Sequence, residues 1–198
     1  QAVTATGKIW NLTDGQTFKK LADKDIDGAS KYVSTSFFTG GIIGLSYATN
    51  GYAHIICCEN SGNILSTSGQ HGGIIGFIRY NTIVRGEKTA DGIRYTVNTG
   101  NVCDHNPSAN GLAGSGYCIA GGIAGYLRDN GKIEYAYNSG NVSGSVNKGT
   151  EPCAGGIVGK YIIDKSVRYC KNNGNIRNYA KGSNALQYCG SISGTDAV

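Results

Sequence analysis

Gly121-Gly122-Ile123-Ala124-Gly125, followed by Tyr137-Asn138-Ser139-Gly140-Asn141-Val142, is a unit that the chain writes four times. Gly40-Gly41-Ile42-Ile43-Gly44 leads to Asn60-Ser61-Gly62-Asn63-Ile64, and Gly72-Gly73-Ile74-Ile75-Gly76 leads to Asn98-Thr99-Gly100-Asn101-Val102. Gly155-Gly156-Ile157-Val158-Gly159 leads to Asn172-Asn173-Gly174-Asn175-Ile176, and a worn fifth copy, Gly190-Ser191-Ile192-Ser193-Gly194, stands near the end. The Gly-Gly-Ile blocks recur at steps of 32, 49, 34 and 35 residues, and the Asn-x-Gly-Asn blocks at 38, 40 and 34. A period in this range is the mark of stacked units that share one continuous core.

Aligned on these blocks, the second half of each copy reads in columns. Ile55, Ile93, Ile133 and Val167 form an apolar column, and Cys57, Tyr95, Tyr135 and Tyr169 follow two positions later. Ile56, Arg94, Glu134 and Arg168 lie between them. This alternation has a period of two, so the segment is a strand with one face in and one out. Asn60, Asn98, Asn138 and Asn172 then stack, as do Asn63, Asn101, Asn141 and Asn175. Asn tolerates left-handed backbone, and stacked amides hydrogen-bond along a ladder. Val or Ile at 64, 102, 142 and 176 opens the next short strand.

No helical period appears after residue 40, so the predicted fold is all-β. It is a right-handed parallel β-solenoid (β-helix) of about 4–5 coils with three short sides, each strand pairing with its equivalent one coil away. Repeats start near Gly40, Gly72, Gly121, Gly155 and Gly190 and make residues 40–198 one elongated domain. Residues 1–39 lack the repeat. Thr13-Asp14 before Phe18, Leu21 and Ala22 predicts a short amphipathic helix over 14–24 that caps the open end of the stack.

Composition narrows the function classes. The 32 glycines follow a long period, which excludes collagen, and 16% charged residues argue against disorder. The surface is polar through Asn, Ser, Thr and Tyr, as is common in secreted proteins. The net charge of +5 is scattered, with Lys19-Lys20 the sole adjacent basic pair, so no nucleic-acid stripe is present. No apolar run approaches the roughly 20 residues of a membrane span. The chain starts at Gln1 and holds no Met, which suggests a processed or excised form.

The combination of Gly155 to Gly159 with Val167 to Ile176 resembles the GLUG-motif repeats of bacterial secreted and cell-surface, adhesin-type proteins. Cys58 and Cys170 fall where that family often has Cys, a column held here by Thr96 and Ala136 in the other copies. The resemblance covers roughly residues 40–194. Trp10, Leu21-Ala22 and Asp25-Ile26-Asp27 also resemble a capping segment that precedes such repeats. It implies a β-solenoid at the cell surface and leaves the activity open, because fold alone does not give function.

The chain has seven cysteines, an odd number that cannot pair fully within one chain. Cys58 and Cys170 read as packed thiols. Cys103 and Cys118 flank the base of a long loop, and Cys153 and Cys189 precede successive Gly blocks, so these are the two disulfide candidates. The cysteines lack clustered metal-site spacing, so no zinc site and no cofactor is expected. Asp23, Asp25 and Asp27 before Gly28 resemble the start of a calcium loop, but Ser34 stands at the twelfth position and a solvated cap turn is the better reading. Asp104-His105 beside Cys103 is no nucleophile pair, because a catalytic base reaches its cysteine across space. No clustered carboxylates are legible, so the chain reads as a non-enzyme.

The 13 tyrosines against 4 phenylalanines suit a recognition surface. Tyr117, Tyr126, His105 and Asn110 are the candidate contact residues, on the loop face around 103–118 and 145–153. The expected function is an adhesin-like binding module for an extracellular protein or glycan. Alternatives are a structural subunit that self-associates through its ends into an extracellular fibre, and a spacer within a larger surface protein.

Overall fold

A computed structural model describes residues 4–5, 38–64, 69–103, 117–146, 153–161, 166–180 and 188–194. Every regular element among them is a β-strand. The strands form three main sheets, in which one pairing is antiparallel and the rest are parallel, and one separate hairpin. The helix expected over 14–24 lies outside the described residues. Of the segment before the first repeat, Thr4–Ala5 pairs parallel with Glu59–Asn60 and adds a strand beside the first copy.

The third repeat shows the path of the chain. Tyr117–Gly121 lies in the first sheet; after Gly122-Ile123, Ala124–Leu127 and Lys132–Glu134 lie in the second, and Ala136–Asn138 in the third. Val142–Val146 returns to the first sheet and runs antiparallel beside Tyr117–Gly121. Equivalent residues of successive copies are in register. Gly40, Gly72, Gly121, Gly155 and Gly190 form one row, so the worn fifth copy is a true member. Ile43, Ile75, Ala124 and Val158 form a second row, and Ile64, Val102, Val142 and Ile176 a third. The first Gly of each block is there for space. A Cβ on Gly72 would meet the Ile75 carbonyl oxygen and lie 2.6 Å from that of Ile123, so the next copy's backbone passes where a side chain would stand.

Apolar columns fill the interior. Ile74, Ile123 and Ile157, the third residues of their blocks, are fully buried against Val84, Leu127 and Ile133. A smaller cluster packs Ile64, Val102 and Val142 against Cys103, Cys118, Ala120 and Ala154. The Asn columns are ladders. Asn60 Nδ2 donates to Asn98 Oδ1 at 2.8 Å, Asn98 to Asn138 at 2.8 Å, and Asn138 to Asn172 at 2.7 Å. Each Nδ2 also donates to the carbonyl of the Gly two residues on. In the second ladder, Asn63, Asn101 and Asn141 accept from the backbone N–H of Asn101, Asn141 and Asn175.

One column needs correction. Ile55 pairs with Val84, and Val84 with Ile133, so Val84 and not Ile93 holds the apolar position. Arg85, not Arg94, stands between Ile56 and Glu134. The cause is a hairpin of Glu87–Thr89 with Gly92–Arg94, pushed out of the second repeat and leaving Ile93 exposed. Gly86 donates its N–H to Glu134 and so takes the place expected for Tyr95. Tyr135 and Tyr169 remain a stacked pair, with centroids 4.9 Å apart and planes 11° apart.

No disulfide joins the seven cysteines, all of which lie among the described residues. Register separates one expected disulfide pair: Cys153 lies opposite Tyr188 and Cys189 opposite Ala154. That offset of one residue sends the two thiols to opposite sheet faces, and Cys153 is buried while Cys189 is exposed. Cys58 and Cys170 pack in the column that Thr96 and Ala136 continue. Burial pushes the Cys170 thiol up to about 11, partly offset by its hydrogen bonds to backbone. Only thiolate is nucleophilic, so its alkylation rate should rise about tenfold per pH unit between about pH 7 and pH 10. Peptide-resolved iodoacetamide kinetics test this, and a plateau below about pH 9 would contradict it.

Candidate binding face

The long strand Ile43–Ile56 runs beside Ile75–Arg85, with a register shift between Ala48 and Ala53. Gly51 lies within the shift at φ +88°, a left-handed conformation that glycine adopts without steric cost. The shift throws Tyr52 outward to 65% exposure. On the same strand Tyr47 is 52% exposed and lies opposite Arg79.

Tyr47 and Tyr80 meet edge to face, with centroids 4.8 Å apart and their hydroxyls 3.4 Å apart. The Arg79 guanidinium sits 5.3 Å from the Tyr47 ring centre and 5.1 Å from that of Tyr80. Its Nε donates to Asp129 Oδ2 at 3.3 Å. Three successive repeats therefore contribute to one cluster. A guanidinium held by two rings and a carboxylate has lost much of its freedom, so little remains to be lost on binding. The hydrogen bond with Tyr47 pushes the Tyr80 phenol above its ordinary range, with Arg79 pulling the other way.

The face continues along the strands. Leu45, two residues from Tyr47, is exposed and lies opposite Phe77, which in turn lies opposite Tyr126. The Phe77 and Tyr126 rings stack at 5.1 Å and 10°, and Phe38 packs on Phe77 at 4.9 Å. Arg128 lies 6.0 Å from the Tyr126 ring centre. Aromatic rings with interleaved arginine, apolar in body and polar at the tip, are the composition of recognition surfaces.

Of the contact residues expected from sequence, Tyr126 belongs to this face. Tyr117 begins a strand of the first sheet, with its backbone opposite Val146. His105 and Asn110, like Asp23, Asp25 and Asp27, lie outside the described residues. Tyr47, Tyr52, Tyr80 and Arg79 were not singled out from the sequence. The signal was weak: Tyr47 and Tyr80 stand seven and eight residues after Gly40 and Gly72, the first glycines of their own repeats, and so fall in neighbouring columns, not the same one.

A second constellation is interior. His71, Cys103 and Cys118 bring a ring nitrogen and two Sγ atoms to within 4.8 Å of one another. All three are buried, which denies a substrate access to either thiol. The spacing argument against metal-site cysteines did not anticipate this grouping, because its members come from different repeats. In comparisons with known proteins, no protein-family model, no curated protein and no solved structure matches this chain.

Proposed function

We propose that the chain is a non-catalytic binding module of adhesin type, secreted or displayed at a cell surface, and that it folds as a right-handed parallel β-solenoid. Supporting the solenoid are the in-register row of five glycines and a path that visits three sheets in turn in the third repeat. Supporting the surface role are the GLUG-like repeat and the scarcity of charge. The observation that carries the binding reading is the ordered Tyr47–Arg79–Tyr80 cluster, with Tyr52 exposed farther along the same strand. Tyrosine rings offer flat apolar faces to sugar C–H groups or to a protein's side chains, and Arg79 and Asp129 offer directed polar contacts. Within the cluster Asp129 is the one carboxylate and is ion-paired to Arg79, whereas glycosidic hydrolysis uses a pair of them.

The test is a screen of the full chain against glycan and extracellular-protein arrays, followed by titration of any ligand found. Tyr47→Ala and Tyr52→Ala should each weaken binding about tenfold, as expected for exposed aromatic anchors. Both residues are more than half exposed, so the fold should be little affected. A ligand whose affinity is unchanged by both substitutions and by Arg79→Ala would refute this face as the site.

A further inference from the structure

We propose that His71, Cys103 and Cys118 form a buried three-ligand site for a zinc ion. The register sets out how the site is built. His71 lies one residue before Gly72, and Cys118 three residues before Gly121, the equivalent glycine of the next repeat. Those offsets share parity, and His71 is opposite Ala120, so the imidazole and the Cys118 thiol leave the first sheet on the same side. Cys103 follows Val102, whose backbone forms parallel bridges with Ile64 of the preceding copy and Val142 of the following one. It holds φ +52°, a left-handed backbone that residues with a side chain rarely adopt.

The imidazole makes the argument specific. His71 is fully buried, and neither Nδ1 nor Nε2 has a hydrogen-bond partner. On the next strand, opposite His71, the Thr39 hydroxyl is likewise buried without one. A buried polar group without a partner is costly, and the ligand-type atoms gathered beside the ring are two sulfurs. Tetrahedral zinc with two sulfur ligands and one nitrogen sets those atoms about 3.6–3.8 Å apart. The separations here need to close by roughly an ångström at most to bind the ion.

Charge selects the metal. Thiolate sulfur and imidazole favour zinc or cuprous copper over hard cations. Zn²⁺ with two thiolates and a neutral imidazole is uncharged, which suits a pocket walled by Ile64, Val102, Val142 and Ala120. Cuprous ion in the same ligands would leave a buried negative charge. Binding releases two protons from the thiols. In a chain with small side clusters, the ion would tie the Gly69–Gly72 and Tyr117–Gly121 strands to the Val102 corner.

The full reduced chain, titrated with Co²⁺ as a spectroscopic stand-in and then Zn²⁺, tests the site. The expected result is one equivalent bound per chain, with thiolate-to-cobalt charge-transfer absorption that zinc displaces. Cys103→Ser and Cys118→Ser should each lower affinity at least about a hundredfold and His71→Ala about ten- to a hundredfold, while Cys57→Ser and Cys189→Ser leave it unchanged. Should the variants not fold, X-ray absorption on the zinc-loaded wild-type chain counts the ligands directly, and two sulfurs with one imidazole are expected. A folded chain that binds neither Co²⁺ nor Zn²⁺ overturns the proposal. So does an all-oxygen or nitrogen shell, binding of cuprous ion alone, or a Cys103–Cys118 disulfide in the unreduced protein.

Discussion

Asn138→Ala should lower the folding free energy by about 3–5 kcal/mol, enough to move Tm by roughly 8–15 °C for a chain of this size. Asn138 is fully buried in the middle of the ladder. Its removal strands one Asn98 amide N–H, whose acceptor was Asn138 Oδ1, and the Gly140 carbonyl, whose donor was Asn138 Nδ2. Asn172 Oδ1 loses one donor and keeps the Gly174 N–H. Each stranded group costs about 1–3 kcal/mol, because Asn98 and Gly140 are buried and no water reaches them without opening the stack. Urea unfolding measures the loss. Asn175→Ala is the control: its side chain is exposed and donates to Asn141 alone, so a loss under about 1 kcal/mol is expected. Equal losses at the two sites would mean that the ladder contributes nothing beyond helping the chain turn.

Asn138→Asp should be worse than alanine at neutral pH. The substitution points an acceptor at Asn172 Oδ1 and at the Gly140 carbonyl, where the amide had donated. Burial and facing acceptors both favour the protonated acid, so the folded-state pKa lies above the unfolded value of about 3.9. The folded variant therefore holds the proton more tightly than the unfolded chain does. Its deficit against wild type should shrink as pH falls through the folded pKa and level off below the unfolded one. A deficit that stays constant or widens in acid would contradict this.

The ladder was legible because its column has one chemistry in every copy. Asn-x-Gly needs the amide both for its own turn and for its neighbour, so each repeat keeps it and counting residues finds it. The apolar column failed at one copy for a local reason. Counting back from Asn98 reaches Ile93, but nine residues, 87–95, have been inserted between Gly86 and Thr96. Ile83-Val84-Arg85 and Gly92-Ile93-Arg94 both read as apolar then basic, so composition does not choose between them. Asp91-Gly92 is a hairpin signal and marks the insertion. Tyr47 lies opposite Arg79 in the regular register, whereas Tyr52 is thrown outward by the shift at Gly51, and a shift in strand pairing leaves little trace in one strand's own pattern. The His71–Cys103–Cys118 cluster was hidden by a rule suited to ligands on one short segment; within stacked repeats, column parity is the relevant distance.

Gly122→Ala should be severely damaging, at least about 3 kcal/mol. A Cβ at Gly122 would overlap the Gly156 carbonyl oxygen and the Asn138 side-chain amide, with Nδ2 at 2.6 Å. The first is backbone of the next copy and the second is a ladder rung held on both sides, so neither can yield cheaply. Gly51→Ala separates this crowding from glycine's conformational freedom: φ is +88° there and nothing stands within 4 Å of the added carbon. It should cost about 1 kcal/mol. The Gly122→Ala, Asn138→Ala double variant then divides the clash. Removing the amide frees half the space, so the two losses should fall short of additivity by roughly 0.5–3 kcal/mol. The overlap with the Gly156 carbonyl remains, so the double variant should still be less stable than Asn138→Ala alone. Strict additivity would show that glycine and asparagine do not compete for that space. The same contact recurs as Gly41 with Asn60, Gly73 with Asn98 and Gly156 with Asn172. The second glycine of each Gly-Gly block is thus the seat of its own repeat's ladder amide, which is why the two halves of the unit, some twenty residues apart, travel together through the chain.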